Sequence, residues 1–240
     1  MKEYLKPCFA EILGTFMLVF AGTGAIIIND ISGGIIGHVG IALTFALVVL
    51  TVIYTYGDIS GAHINPVVTL AFWATDNLKS SKALYYVTSQ LIGALLASIL
   101  LSSLFPTHAT LGATVAKKYL WQALILEIII TWWLVTVILH VTFGPKQNKI
   151  LAGMIISSVI CLEAIFAGPI SGASMNPARS IAPALISGQL DQLWLYILGP
   201  SVGAILAVAN LKLFTTPSVQ KPLTVKLENR REEISLKPLA

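Results

Sequence analysis

Charged residues and cysteines are both scarce in this chain of 240 residues. Charged side chains make up 11% of the sequence, against roughly a quarter in a soluble domain, so there is too little polar surface to cover a water-soluble fold. The two cysteines, Cys8 and Cys161, make neither a disulfide framework nor a metal site. No HExxH or GxSxG motif occurs and the carboxylates are scattered, so we expect no enzyme, no cofactor and no bound metal. The net charge of +4 comes mostly from the ends and loops and does not indicate nucleic-acid binding.

Long apolar runs dominate the sequence instead. Apolar residues make up 56% of the chain. Six windows are long enough for a helix to cross a lipid bilayer, which takes about 20 predominantly apolar residues. These windows are 9–28, 35–53, 84–104, 119–141, 150–170 and 193–213. The apolar part of the first window is too long for a signal peptide, so we expect an uncleaved first span.

Lys and Arg are distributed unevenly between the two sides of the membrane. Six spans put both termini on one side, where twelve of these cations lie, against Lys117 and Lys118 on the other side. This asymmetry predicts a multi-pass protein of the cell membrane with both termini in the cytoplasm. The sequence turns polar near Thr215, so we expect a single transmembrane domain over 1–214 and a cytoplasmic polar tail over 215–240.

The sequence contains an internal repeat. Residues 60–69 match residues 171–180 at five of ten positions, at an offset of 111, and Glu11 recurs as Glu127 at a similar offset of 116. Each repeat, 8–105 and 119–214, holds three spans, and an odd number makes the second copy enter the membrane from the opposite face. The sequence therefore predicts an all-α membrane protein built from inverted repeats, a layout that places a site near the bilayer midplane.

Each repeat also contains an apolar segment that is too short to cross the bilayer. These segments, 67–73 and 178–186, follow the pairs Asn65-Pro66 and Asn176-Pro177. Asn is a good helix N-cap and Pro suits the first helical position, so the pairs predict two re-entrant half-helices. Two such helices of about 15 Å each, entering from opposite faces, would meet at the centre of a hydrocarbon layer of about 30 Å.

That geometry predicts a polar path through the membrane. Backbone carbonyls before each half-helix would line the path, because irregular backbone at this depth must be buried or face a wet cavity. The residues are Gly61, Ala62, His63, Ile64, Gly172, Ala173, Ser174 and Met175. Asn65 and Asn176 would each direct an amide N–H₂ at the permeant, and the two helix N-termini would repel cations, protons included. A neutral molecule with hydrogen-bonding groups would pass.

At these motifs the chain resembles the aquaporin, or major intrinsic protein, family over about residues 9–214. The second motif reads Asn176-Pro177-Ala178 as in the family, whereas the first ends in Val67, which adds bulk but keeps the cap and the proline. The wording of residues 167–180 looks most like the plant nodulin-like branch and its bacterial relatives. That resemblance implies a homotetramer in the lipid bilayer that passes water, glycerol, urea or uncharged metalloid acids such as boric and arsenous acid. A strict water channel is the alternative.

The resemblance also implies a four-residue selectivity filter. Counting from the two asparagines, the family's filter positions fall on Phe45, Ala164, Ala173 and Arg179. Arg179 is the only Arg or Lys placed well inside the membrane, so we expect it to act as a cation barrier. Strict water channels of the family usually have His at the position of Ala164, and its loss widens the filter.

Three carboxylates within the predicted spans and one histidine allow more than one interpretation. Glu11 and Glu127 occupy equivalent repeat positions, where they could scaffold the loops before the half-helices or relay protons; symmetry favours scaffolding. Glu163 has no partner in the first repeat and could be buried and hydrogen-bonded, lie near the outer mouth or attract solutes. It is also the residue that an ion-coupled secondary transporter, the remaining alternative, would use. For His63 we favour a packed imidazole over a titrating gate.

Overall fold

The computed structural model describes residues 2–145 and 150–214, and these residues form eight α-helices and no strand. The helices are α1 (Lys2–Ile31), α2 (Gly37–Ser60), α3 (Pro66–Ala74), α4 (Ser80–Leu104), α5 (Leu120–Phe143), α6 (Ala152–Ser171), α7 (Pro177–Ser187) and α8 (Leu193–Phe214). The predicted tail, 215–240, and two of the counted cations, Lys146 and Lys149, lie outside the described residues.

Six of these helices are long and apolar enough to span a membrane, which confirms the predicted all-helical, six-span fold class. Their ends differ from the apolar windows. The second helix runs to Ser60, seven residues beyond its window, because the helical hydrogen bonds continue through Gly57 and Asp58 until Gly61 adopts a φ of 94°. Hydropathy marks the part of a helix that matches the hydrocarbon, whereas the backbone ends where a left-handed residue ends it.

The two short helices, α3 and α7, begin at the predicted prolines. They contain 9 and 11 residues and are therefore about 14 and 17 Å long, well short of a bilayer core of about 30 Å. Each is one residue longer at both ends than its apolar segment. Most of their residues are buried, so these helices belong to the interior of the molecule.

Glycines allow the closest contacts between spanning helices. A Cβ built on Gly93 of α4 would lie 2.2 Å from the carbonyl oxygen of Ile12 on α1, and one on Gly203 of α8 would lie 2.5 Å from that of Ile128 on α5. A larger residue would push each pair of helices apart. Small residues at these positions therefore serve packing within the chain, in α1 against α4 and in α5 against α8.

The short helices connect the two halves of the sequence. Helix α7 packs mainly against α4, from the first half, and helix α3 packs against both α4 and α8. The spanning helices α2 and α6 also pack against each other across the halves. The half-helices are thus held between long helices of both repeats, and their N-termini are brought to the middle of the molecule.

A side chain bonds α2 to α6 where a proline interrupts the hydrogen bonds of α6. Pro169 has no N–H, so the carbonyl of Ile165, four residues earlier, has no helical donor. The Nε2 atom of His38 on α2 donates to this carbonyl at 2.7 Å. Gly168 leaves room for the ring, because a Cβ there would lie 2.7 Å from His38 Cε1. This bond fixes the backbone of α6 directly beside Ala164.

Large apolar side chains cover the outside of the helix bundle. Between 22% and 50% of each spanning helix's most apolar window is buried inside the molecule. The remaining faces expose residues such as Leu47, Ile99, Ile125 and Leu206. In water such a surface would aggregate, whereas in a bilayer it contacts lipid chains of matching polarity.

Candidate functional site

The two half-helices begin at asparagines that cap them. The backbones of Asn65 and Asn176 are extended, and their side-chain oxygens accept hydrogen bonds from the N–H groups of Val67 at 3.1 Å and Ala178 at 3.0 Å. Asn176 also accepts from Arg179 N at 3.4 Å. Because each oxygen is bound to its own helix, each amide nitrogen is directed away from that helix.

Each amide nitrogen donates to the loop of the other half. Asn65 Nδ2 lies 2.7 Å from the carbonyl oxygen of Met175, and Asn176 Nδ2 lies 2.8 Å from that of Ile64. The structure therefore brings the two helix tips and the two loops together, with both asparagines 5% exposed. A primary amide has two N–H hydrogens, so each asparagine keeps one hydrogen for a further acceptor.

The loops before the half-helices have an unusual backbone. Ala62 and Ile64 have φ values of 47° and 43°, and Ala173 and Met175 have values of 43° and 53°. Left-handed backbone at residues other than glycine costs of order 1–3 kcal/mol each, and a β-branched residue such as Ile64 is a rare case. The strain alternates with ordinary residues in both loops, which prevents them from continuing as helices.

Two buried carboxylates bind the amide groups of these strained loops. Glu11 accepts from the N–H groups of His63 at 2.9 Å and Ile64 at 2.7 Å, and also from Gln90 Nε2 at 2.8 Å. Glu127 accepts from the N–H groups of Ser174 at 2.8 Å and Met175 at 2.9 Å. Both carboxylates are 0% exposed and neither lines the cavities described below. Their position agrees with a scaffold and leaves them out of contact with a permeant.

Serine and tyrosine add a second set of bonds that the sequence interpretation missed. The hydroxyls of Ser60 and Ser171 donate to Glu11 at 2.6 Å and Glu127 at 2.8 Å. The carbonyls of the same serines accept from the hydroxyls of Tyr86 and Tyr196, both at 2.7 Å. The two tyrosines lie 110 residues apart in the sequence, almost the offset of the asparagines, so extending the repeat alignment to α4 and α8 would have found them.

The four predicted filter residues lie together between two cavities. A central cavity of about 130 Å³ and a wider vestibule of about 530 Å³ share four lining residues, namely Phe45, Ala164, Ala173 and Arg179. The central cavity is also lined by both asparagines, by the loop residues 61–64 and by residues 173–175, whereas Gly172 lines the vestibule. A molecule that moves between the cavities therefore passes these four side chains.

Arg179 has a buried but polar environment. Its side chain is 2% exposed, and Nη1 donates to the carbonyl of Gly112 at 2.9 Å. The guanidinium carbon lies 5.1 Å from the centre of the Phe45 ring, within the range of a cation–π contact. The Nε hydrogen has no partner among the described residues. The guanidinium is thus held at the boundary of the two cavities by one carbonyl and by the Phe45 ring.

Val67, the departure from the family motif, faces away from this path. It is 2% exposed and lines an apolar recess between α3 and α8, together with Leu70, Ala204 and Val208. It does not line the central cavity or the vestibule. The additional methyl groups therefore pack against α8 and do not narrow the junction of the asparagines.

Glu163 and His63 lie in different surroundings. Glu163 is 0% exposed, lines neither cavity, and has no hydrogen-bond partner for either carboxylate oxygen in the described part of the chain. Its burial agrees with one of the positions that we considered, but the hydrogen bond expected there is not formed with any described residue. His63 lines the central cavity, but its ring stacks on Phe72 at 4.5 Å and its Nδ1 lies 3.2 Å from Thr69 Oγ1. Its imidazole is packed, as the sequence suggested.

Six apolar spans surround two cavities that share lining residues, and polar groups are concentrated at their boundary, an arrangement typical of a transmembrane channel. The comparison with known sequences agrees. The family model described as "Major intrinsic protein" matches residues 1–210, and the chain belongs to this family. Aquaporins of this family are channels and not enzymes.

The relatives that we found include nodulin-like intrinsic proteins, as the wording of the second motif suggested. Aquaporin NIP1-1 of Zea mays is 41% identical over 223 residues, which cover 92% of this chain and 78% of that protein. Nodulin-26 of Glycine max is 39% identical and covers 92% of this chain and 81% of its own. The aquaglyceroporin from Plasmodium falciparum has the same fold, with a TM-score of 0.79, 23% identity and coverage of 90% and 98% of the two chains.

Proposed function

We propose that this protein is a passive channel for water and small uncharged solutes that excludes protons and other ions. The observation that supports the proposal most directly is the junction of Asn65 and Asn176. Each amide is fixed by its oxygen and by one hydrogen, which leaves the other hydrogen for a passing acceptor. A permeant would therefore exchange its water hydrogen bonds for two oriented amide donors.

Ion exclusion would come from two sources of positive potential. The N-termini of α3 and α7 meet at the asparagines, and the guanidinium of Arg179 lies at the boundary of the two cavities. A cation would meet both in succession, and it would also have to give up hydration in a mostly apolar passage. A proton relay would be interrupted because the asparagine amides orient water as an acceptor. We assign Glu11 and Glu127 to scaffolding of the loops.

The composition of the filter supports solutes larger than water. Ala164 and Ala173 contribute only methyl groups, which leaves space opposite Phe45 and Arg179. The passage would then have an apolar wall, formed by the ring and the methyl groups, and a polar wall, formed by the guanidinium and the loop carbonyls. Glycerol, urea, boric acid and arsenous acid all carry several hydroxyl or amide groups on a small neutral body and fit such a passage.

We further propose the arrangement of the channel in the cell. Residues 1–214 would form one channel domain made of two inverted repeats, 8–105 and 119–214, with both termini in the cytoplasm of a cell whose plasma membrane it spans. Four copies would assemble with one passage each. The exposed apolar faces of the spanning helices support burial in lipid and in such an assembly.

The proposal is tested by stopped-flow assays on proteoliposomes with water, glycerol, urea and arsenite in parallel. The wild type should pass water and at least one of the larger solutes, linearly and without an ion gradient. Ala164→His should reduce passage of the larger solute by about tenfold, the effect of an added barrier of about 1.4 kcal/mol, because the ring fills the space opposite Phe45. Water flux should persist. Ala164→Gly is the control, because its smaller residue adds nothing to the space opposite Phe45 and should not reduce passage of the larger solute.

Two other results would replace the proposal with one of its alternatives. Water flux with no passage of any larger solute would make this protein a strict water channel. Uptake that required a sodium or proton gradient would make it a secondary transporter, and Glu163→Gln should then abolish uptake. Unchanged selectivity in Ala164→His would show that the filter is assigned to the wrong residues.

A further inference from the structure

A buried glycine on α1 lies directly against the Phe45 ring. A Cβ built on Gly22 would lie 2.1 Å from Cε1, 2.4 Å from Cζ and 2.6 Å from Cδ1 of Phe45. These three atoms form one edge of the ring, so that edge occupies the space where any other residue would have its side chain. Nothing in the sequence pattern singled out Gly22.

The same ring forms part of the wall between the two cavities. Phe45 lines the central cavity and the vestibule, and the guanidinium carbon of Arg179 lies 5.1 Å from the ring centre. The ring therefore contacts Gly22 of α1 along one edge and lies beside the charged group of the passage. Its distance from α1 sets how much of the passage it occupies.

The other filter residues have less freedom than Phe45 to change the width of the passage. Ala164 and Ala173 have no side-chain torsion that moves a heavy atom, and Arg179 is bound to the carbonyl of Gly112 at 2.9 Å. Phe45 is thus the side chain whose position varies the opening. The contact with Gly22 determines the position of the Phe45 ring. Non-bonded carbon atoms have their optimal separation at about 3.5–4.0 Å, and a side chain at position 22 would bring carbon atoms much closer to the ring than this.

Gly22 differs in this respect from the glycines that serve helix packing. The atoms nearest to a Cβ on Gly93 or Gly203 include backbone atoms of a neighbouring helix, whereas the three nearest to a Cβ on Gly22 all belong to the Phe45 ring. A side chain at position 22 therefore displaces the ring before it displaces a helix. A Cβ on residue 22 would lie 2.1 Å from Phe45 Cε1, whereas ordinary contacts begin at 3.4 Å. The ring would therefore have to move by about 1 Å or more.

We propose that Gly22 is a positioning residue that sets the solute size limit of the channel by letting the Phe45 ring lie against α1. This inference rests on the proposed function and adds a fifth residue, from α1, to the control of solute choice. A side chain at position 22 moves the ring away from α1 and narrows the passage, so that larger neutral solutes are rejected before water is.

The test compares Gly22→Ala, Gly24→Ala, Phe45→Ala and the double variant Gly22→Ala/Phe45→Ala in proteoliposomes. Gly22→Ala should lower glycerol flux by about tenfold, the effect of about 1.4 kcal/mol of added barrier, and should lower water flux less. Gly24→Ala is the matched control on the same helix, because its Cβ would lie 3.5 Å from Leu101 Cδ2, an ordinary contact. The double variant should equal Phe45→Ala alone, since the three atoms nearest to the added methyl group all belong to the ring that Phe45→Ala removes.

Several results would overturn the proposal. One such result is that Gly22→Ala passes glycerol as fast as the wild type. Another is that Gly22→Ala loses water and glycerol flux equally and that this loss persists in the double variant. Either result would show that Gly22 does not act through the ring. If Gly22→Ala does not fold, recovery in the double variant supports the proposal, and failure of both makes Gly22 a packing residue and overturns it. A density map of Gly22→Ala gives a readout that needs no flux. A displaced ring supports the inference and an unmoved ring overturns it, even if the wild type passes no glycerol and the proposed solute range fails.

Discussion

Arg179 places a positive charge at the boundary of the two cavities, where in the proposed channel a cation would have lost much of its hydration. Two unit charges 4 Å apart repel by about 4 kcal/mol at an effective dielectric constant of 20. We predict that Arg179→Val raises cation conductance by at least about tenfold, since removal of a few kcal/mol of repulsion exceeds the 1.4 kcal/mol per factor of ten. Conductance of planar bilayers measures the effect.

The matched control for this prediction is Arg179→Lys, which keeps the charge and loses the planar guanidinium over Phe45. It should remain tight to ions while its solute passage changes. If Arg179→Val were as tight as the wild type, the barrier would have to come from the helix N-termini and from dehydration alone.

The three buried glutamates allow one substitution to be compared in different surroundings. Glu11 accepts four hydrogen bonds and Glu127 three, whereas neither oxygen of Glu163 has a partner in the described residues. In Glu11→Gln or Glu127→Gln an amide N–H₂ faces backbone donors, and a buried unsatisfied donor costs about 1–3 kcal/mol. We predict that each lowers the free energy of unfolding by about 2 kcal/mol, or Tm by about 4–8 °C. Glu163→Gln should leave Tm nearly unchanged.

Thermal unfolding of purified protein in detergent, followed by tryptophan fluorescence, measures these shifts. The comparison is informative because the substitution and the burial are the same at all three positions. A loss of stability in Glu163→Gln as large as in Glu11→Gln would mean that burial, rather than the bonds to the loops, determines the cost.

At the scale of single elements, the bond between His38 and the carbonyl of Ile165 exists because Pro169 leaves that carbonyl without a helical donor. We predict that His38→Ala lowers the free energy of unfolding by about 1–2 kcal/mol in the wild type, because the carbonyl is left unpaired. In a Pro169→Ala background the cost should be smaller, since the restored N–H of residue 169 fills the same acceptor. A double-mutant cycle of thermal unfolding measures the difference.

Additive effects of the two substitutions would contradict this account of α2 and α6. The bond requires a hydrogen on Nε2 of His38, because the carbonyl oxygen of Ile165 can only accept.

At the scale of the whole molecule, the sequence predicted the six spans, the two half-helices and the residues at which they meet. The asparagines, the prolines and the two paired glutamates could be predicted because each of them occurs once in each repeat, at nearly the same offset. Hydropathy located the spans because a bilayer imposes a minimum apolar length. The helix ends were less accurate, since they depend on left-handed residues such as Gly61.

Contacts that the repeat does not duplicate could not be predicted. Gly22 lies against Phe45, and His38 reaches Ile165 across 127 positions of sequence. Neither contact has a local pattern, because the partners come from different helices and meet only once the bundle has formed. The surroundings of Glu163 were missed for the same reason.

The outward orientation of Val67 bears on how members of this family are recognised. The family motif includes the residue after each Asn-Pro pair, yet the side chain of Val67 packs against α8 and lines neither the central cavity nor the vestibule. The third position of the motif therefore reflects the packing of two helices, whereas the asparagine and the proline determine the start of the half-helix and the direction of the amide group. Sequence searches that require alanine at this third position would exclude such chains because of a packing difference that is unrelated to the permeant.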